Sequence, residues 1–129
     1  MEQQSTQQYT EIDPSRELIS SRRVEGTSVV SRDGEKIGEV HSLLINKLTG
    51  TVSFALISHG GFLGLNESYH PVPWSVLDYE VDAEGYVTPL TRQELENAPK
   101  MKLDDDERPC RWDAEEIEGY YSNLDWWGL

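Results

Sequence analysis

The side chains best suited to bind a metal or move a proton are three histidines and one cysteine: His41, His59, His70 and Cys110. No two of them have the close spacing typical of zinc ligands, such as His-x-x-x-His or Cys-x-x-Cys. His59 and His70 lie on either side of a glycine-rich turn and can approach each other across it, although we expect both at the surface. A catalytic base also needs an orienting carboxylate, which this spacing does not supply. We therefore expect no metal, no cofactor and no catalytic residue.

The turn between these two histidines is the other place where a ligand could bind. Glycines let a ligand approach the backbone, and an indole can stack on a ring. The possible ligand corner consists of His59, Gly60, Gly61, Phe62, His70 and Trp74. The alternative is that the glycines shape a corner of the fold while Trp74 fills the core. We favour this alternative because a lone Gly-Gly pair lacks the strand-to-helix context of a phosphate-binding loop.

Acidic side chains form two clusters. The first alternates along the chain as Asp78, Glu80, Asp82 and Glu84, and the second is the continuous run Asp104-Asp105-Asp106-Glu107. Neither has the loop spacing of an EF-hand, so we expect solvated or docking surfaces and not calcium sites. Cys110 stands between Pro109 and Arg111 without a recognisable catalytic partner. There is no Gly-x-Ser-x-Gly motif that would indicate a hydrolase.

Length and charge narrow the class of protein. The chain has 129 residues, enough for one compact domain, and a net charge of -13. This charge disfavours direct contact with nucleic acid or an anionic membrane, because both would be repelled. We find no apolar run of about 20 residues and no secretory signal, so we expect no membrane insertion. The single cysteine excludes an internal disulfide framework and is consistent with the cytoplasm.

Hairpin turns are expected at three places. Asp33-Gly34 is typical of a tight hairpin, Gly50 is placed to close a second one, and Asp82-Ala83-Glu84-Gly85 indicates a third. Between the first two turns, the imperfect alternation of Lys36 to Asn46 predicts a strand with a bulge. The regular alternation from Val52 to Ile57 predicts a strand with one face on the core.

The next strand is expected to run from Tyr69 to Val76, after the glycine turn. Pro71 and Pro73 each lack an N–H, which places this run at a sheet edge or a bulge. Residues 1–20 are rich in polar side chains and are expected to form a mobile leader.

Two helices are expected beyond the strands. Thr91 and Glu94 make a capping box for a short helix that Pro99 would stop. Asp113 and Glu116 give an acidic version of the same signal. The apolar face of this second helix, together with flanking tryptophans, consists of Trp112, Ile117, Tyr120, Tyr121, Leu124, Trp126 and Trp127. This aromatic arm either packs on its own barrel or docks on a second copy or another protein, with the acidic run as a hinge.

The stretch from Ser58 to Trp74 resembles the signature of a PRC-barrel domain. It joins an alternating strand to a glycine-rich turn and to a Pro-Val-Pro-Trp strand end, and the resemblance extends over about residues 21–101. The family occurs alone, in the cytoplasmic part of the photosynthetic reaction centre H subunit and in a ribosome maturation factor. The resemblance implies a small β-barrel and supports assembly or scaffolding roles. The H subunit has an N-terminal membrane anchor and the maturation factor an extra N-terminal domain, neither of which we expect here.

We therefore predict an all-β, PRC-type barrel of about six strands, followed by a short helix and a C-terminal amphipathic helix. The predicted regions are a leader (1–20), the barrel (21–101) and an acidic linker with the aromatic arm (102–129). The predicted function is that of a non-catalytic, soluble bacterial interaction or assembly module, homo-oligomeric or bound to a protein partner. One alternative is a small-ligand or metal-binding sensor. A second is an accessory factor in ribosome or RNA assembly.

Overall fold

The computed structural model describes residues 17–59, 68–111 and 113–124. Its strands are β1 (Ser28–Ser31), β2 (Lys36–Ile45), β3 (Val52–Ser58), β4 (His70–Pro73), β5 (Asp78–Glu80) and β6 (Gly85–Thr88). Its helices are α1 (Ser21–Val24), α2 (Arg92–Glu96) and α3 (Ala114–Ser122). A single 3₁₀ turn, Trp74–Val76, joins β4 to β5. The predicted mostly-β fold with six strands and following helices is confirmed.

All six strands belong to one sheet in the order β4-β3-β2-β1-β6-β5. Neighbours are antiparallel except β1 and β6, which are parallel. β4 lies at one end of this order, which confirms the edge position that Pro71 and Pro73 predicted. The strand β2 carries register shifts between Val40 and Ser42 and again between Leu44 and Ile45, so the predicted irregularity is also present.

The turns follow the sequence signals with one difference. Gly34 and Gly50 have φ angles of 89° and 79°, in the left-handed region that favours glycine. In the third hairpin the left-handed residue is Glu84, with a φ of 52°, and Gly85 already begins β6. A Cβ on Gly85 would lie 2.5 Å from the Ser28 carbonyl oxygen, so this glycine allows β1 and β6 to approach closely.

The main core is built from both strands and helices. Val29, Ile37 and Val40 of the first hairpin meet Leu95 of α2 and Tyr121 of α3 in one buried cluster. A smaller cluster of Leu56, Tyr69 and Met101, with Leu44 and Leu103 against it, covers another part of β3. The segment after α2 is therefore part of the packed structure.

Both predicted helix starts are present. The Thr91 hydroxyl accepts from the Glu94 N–H, and the Glu94 carboxylate accepts from the Thr91 N–H, each at 3.0 Å. The Asp113 carboxylate accepts from the Glu116 N–H at 3.0 Å and caps α3. No helix in the described ranges is long and apolar enough to cross a membrane.

Candidate functional site

Two ionisable side chains among the described residues, His59 and His70, lie within hydrogen-bond distance of each other. His70 opens β4 and pairs with Ile57 on β3, while His59 directly follows that strand. This arrangement brings the two Nε2 atoms to 2.7 Å, with the rings inclined by only 20°. The two histidines meet across the glycine segment, as their spacing suggested.

Backbone carbonyls fix the proton positions in this pair. His70 Nδ1 lies 3.1 Å from the Ala98 oxygen and 3.2 Å from the Pro99 oxygen. Carbonyl oxygens only accept, so Nδ1 carries a proton, and in the neutral ring Nε2 is left as an acceptor. His59 Nε2–H then donates to it. The groups that orient His70 are backbone carbonyls and not a carboxylate, and sequence reasoning missed them.

Burial decides the charge of His70. Only 1% of its surface is exposed, so the expectation of a surface residue is wrong for this histidine. Desolvation, and secondarily the nearby His59, lowers the pKa of His70 to about 4, although the two carbonyls act in the opposite direction. Near neutral pH the buried imidazole is therefore uncharged.

The other members of the predicted ligand corner are only partly brought together. Trp74 follows the far end of β4, where it packs against the core and lies 5.4 Å from the Tyr86 ring. It is separated from His70 by the length of the strand. Gly60, Gly61 and Phe62 lie outside the described residues.

The remaining candidate ligands are scattered or engaged in turns. Within the described ranges there is no group of three or more His, Cys, Asp or Glu side chains that could hold a metal. The acidic run makes its own turn, since the Asp104 carboxylate accepts from the backbone N–H groups of Asp106 and Arg108. The Arg108 guanidinium donates to Asp106 at 2.7 Å. Cys110 is exposed.

The aromatic arm packs on its own barrel over the residues that are described. Ile117 and Tyr121 are 3% and 0% exposed in the main core. The Tyr120 hydroxyl donates to the Glu94 carbonyl at 2.6 Å and so ties α3 to α2. Leu124 is partly buried against the same cluster. These side chains have their partner within the chain, whereas Trp112, Trp126 and Trp127 lie outside the described residues.

Among the described residues, large apolar side chains are nevertheless exposed at three places, which sequence reasoning did not single out. They form three pairs: Leu18 and Ile19, Ile45 and Leu48, and Tyr79 and Val81. Leu48, on the turn between β2 and β3, is 96% exposed. For the last pair, the sequence does contain a signal, because Tyr79 and Val81 alternate with acidic residues from Asp78 onward, as in a strand with one apolar and one charged face.

The fold and the comparisons with known proteins together define the class of this chain. The family model of the PRC-barrel domain, which describes the sequences of that family, matches residues 16–95, more than half of this chain. The chain belongs to the PRC-barrel family. No curated protein matches it.

Proposed function

We propose that this protein is a non-catalytic interaction or assembly module that binds a protein partner or a second copy of itself. The observation that carries the proposal is the exposure of three pairs of large apolar side chains on a chain whose net charge is -13. Single exposed apolar residues are ordinary, whereas contiguous exposed apolar surface marks interaction sites, and pairs close in sequence can contribute to such surface.

Two of these pairs lie on or next to hydrogen-bonded strands and turns. Ile45 ends β2 and Leu48 lies in the turn that follows, which Asn46 stabilises by accepting from the Leu48 and Thr49 N–H groups. Tyr79 lies in β5 and Val81 directly follows it. Because the backbone at these positions is already held by hydrogen bonds, binding there requires little further ordering of the backbone. The histidine pair adds little support for catalysis, because both ring nitrogens of His70 are hydrogen-bonded.

The test compares surface variants of the full chain in affinity capture from native lysate and in sedimentation of the purified protein. One double variant is Ile45→Ser with Leu48→Ser, another is Tyr79→Ser with Val81→Ser, and Lys47→Ser on the same turn is the matched control. We expect at least one double variant to lose a binding partner that the control still captures, or to lose a self-association that the control still shows in sedimentation. Identical behaviour of all variants, with no partner and no self-association, would rule out the proposal.

The histidine pair favours a second candidate function, a metal-binding sensor. The protonated Nδ1 of His70 faces backbone carbonyls, as is common for histidines that bind a metal through Nε2. A metal ion would replace the proton that His59 Nε2 shares with His70. Only two ligands are described here, so this candidate ranks below the first.

Thermal unfolding with Zn²⁺ or Cu²⁺ alone separates the two candidates. A site bound at 100 times its dissociation constant stabilises a fold by about 2.7 kcal/mol. We expect such a gain only if the sensor function is correct, and it should disappear in His59→Gln. No gain, or a gain that persists in that variant, excludes the pair as a metal site.

A further inference from the structure

We propose that the free edge of β5 binds an extended, basic segment of a partner protein, which pairs with this edge as an additional strand. The inference rests on the proposed interaction function and names the surface and the chemistry of its partner. It is carried by the position of β5 in the sheet, by Tyr79 and Val81, and by the acidic residues around them.

The backbone of β5 is available on one side. Among the described residues, β5 is the last strand of the sheet and pairs with β6 alone, through Tyr79 opposite Tyr86. At the other end of the sheet, Pro71 and Pro73 remove N–H groups from β4, and the preceding Tyr69 already pairs with Met101. Of the two ends, β5 is therefore the one that can accept a further strand.

Aromatic contacts hold the exposed side chains of this edge in place. The Tyr79 ring lies 5.3 Å from the buried Tyr86 ring, which in turn lies 5.4 Å from Trp74. Tyr79 is thus the outer member of an aromatic row that reaches into the core, yet it is 49% exposed. Val81 is 75% exposed just beyond it. The pair offers apolar surface next to an open strand edge.

Charge identifies the occupant. Asp78, Glu80, Asp82 and Glu84 are exposed, and none of them makes an ion pair in the part of the chain that the structure describes. No Lys, Arg or His occurs from Leu77 to Leu90. A second copy at this edge would place carboxylates opposite carboxylates, which is unfavourable. A strand that alternates Lys or Arg with apolar residues would place its cations on the face of Asp78 and Glu80 and its apolar side chains beside Tyr79 and Val81.

The test uses the full chain and two synthetic peptides, one alternating lysine with valine and one alternating glutamate with valine. Binding is measured by titration at low and physiological salt, and backbone amide shifts locate it. The key variant is Asp78→Lys with Glu80→Lys. Its matched control, Asp105→Lys with Glu107→Lys, changes the net charge equally at the other acidic cluster.

We expect the basic peptide to bind the wild type, with the amide shifts centred on residues 78–81. The key variant should bind it at least tenfold more weakly. The control variant should keep an affinity within twofold of the wild type. If both variants bind the basic peptide equally more weakly than the wild type, the effect comes from net charge alone and the inference is overturned. So would absence of binding, equal binding of the acidic peptide, or dimerisation through β5. If the key variant still captures the same partner from lysate, this surface is wrong while the interaction function stands.

Discussion

His70 should make the stability of the fold depend on pH. Its pKa is lowered to about 4 in the folded protein, whereas an unfolded histidine titrates near 6.5. As the pH falls through this window, the unfolded chain takes up a proton that the folded chain does not. Stability is therefore fully present above about pH 6.5 and decreases toward pH 4, by about 3 kcal/mol for a shift of this size.

The measurement is urea unfolding of the wild type and of His70→Asn between pH 7 and 4. Asparagine keeps a donor toward the Ala98 carbonyl but does not titrate, so the variant should be less stable near neutral pH and lose less stability on acidification. The residues whose charges act on His70, His59 and Lys100, are both kept in the variant. Parallel pH curves for wild type and His70→Asn would contradict the assignment.

The spacing around the glycine turn could predict that the two histidines meet, but not that one of them is buried. The groups that hold His70 are carbonyls 28 and 29 residues further along the chain. Every residue has a carbonyl, so no sequence motif marks the ones that bind a side chain. The same holds for the Tyr120 hydroxyl and its Glu94 carbonyl partner.

At the scale of elements, features set by neighbouring residues were predictable. Left-handed turns at Gly34 and Gly50, the capping box at Thr91 and the edge position of β4 all follow from local chemistry. The parallel pairing of β1 with β6 joins segments far apart in sequence, so no local signal indicated it. For this reason the sequence indicates Gly85 only as a turn residue, although in the structure it allows a close contact between strands.

Gly85→Ala should therefore destabilise the fold. The added methyl would lie 2.5 Å from the Ser28 carbonyl oxygen, a backbone atom that cannot move without shifting β1. Overpacking of this kind costs about 1 to 3 kcal/mol. Chemical unfolding monitored by circular dichroism measures the change.

Gly119→Ala is the matched control for this substitution. Gly119 lies within α3, and a Cβ there would meet nothing within 4 Å. Alanine in a helix is favoured over glycine by up to about 1 kcal/mol, so this variant should be as stable as the wild type or more so. If Gly85→Ala is also neutral, the close approach of β1 and β6 does not constrain the fold.

At the scale of the whole molecule, the packed core extends beyond the family match. The match ends at residue 95, yet Ile117 and Tyr121 are buried in the same cluster as the strands. The apolar stripe of α3 predicted that this face of the helix is buried. It could not show whether the cover was the chain's own barrel or a partner, because both bury the same face.

A chain that ends at Leu103 should therefore be strongly destabilised. It would lose α3 and expose the part of the core that Tyr121 covers. Removing a large buried aromatic costs about 3 to 5 kcal/mol, and whole domains are stable by only about 5 to 15 kcal/mol. We expect calorimetry to show a much lower unfolding midpoint. Because of this destabilisation, the loss of a partner on truncation would not by itself show that the arm is the docking element.

Point variants separate packing from docking on the same helix. Tyr121→Ala should lower the unfolding midpoint as the truncation does, since its side chain is fully buried, whereas Glu118→Ala on the exposed face should change it little. A partner whose binding survives Tyr121→Ala under conditions where that variant remains folded must contact another surface, such as β5. Unchanged midpoints for both the truncated chain and Tyr121→Ala would mean that α3 leaves the barrel in solution, and the arm would then be free to bind a partner.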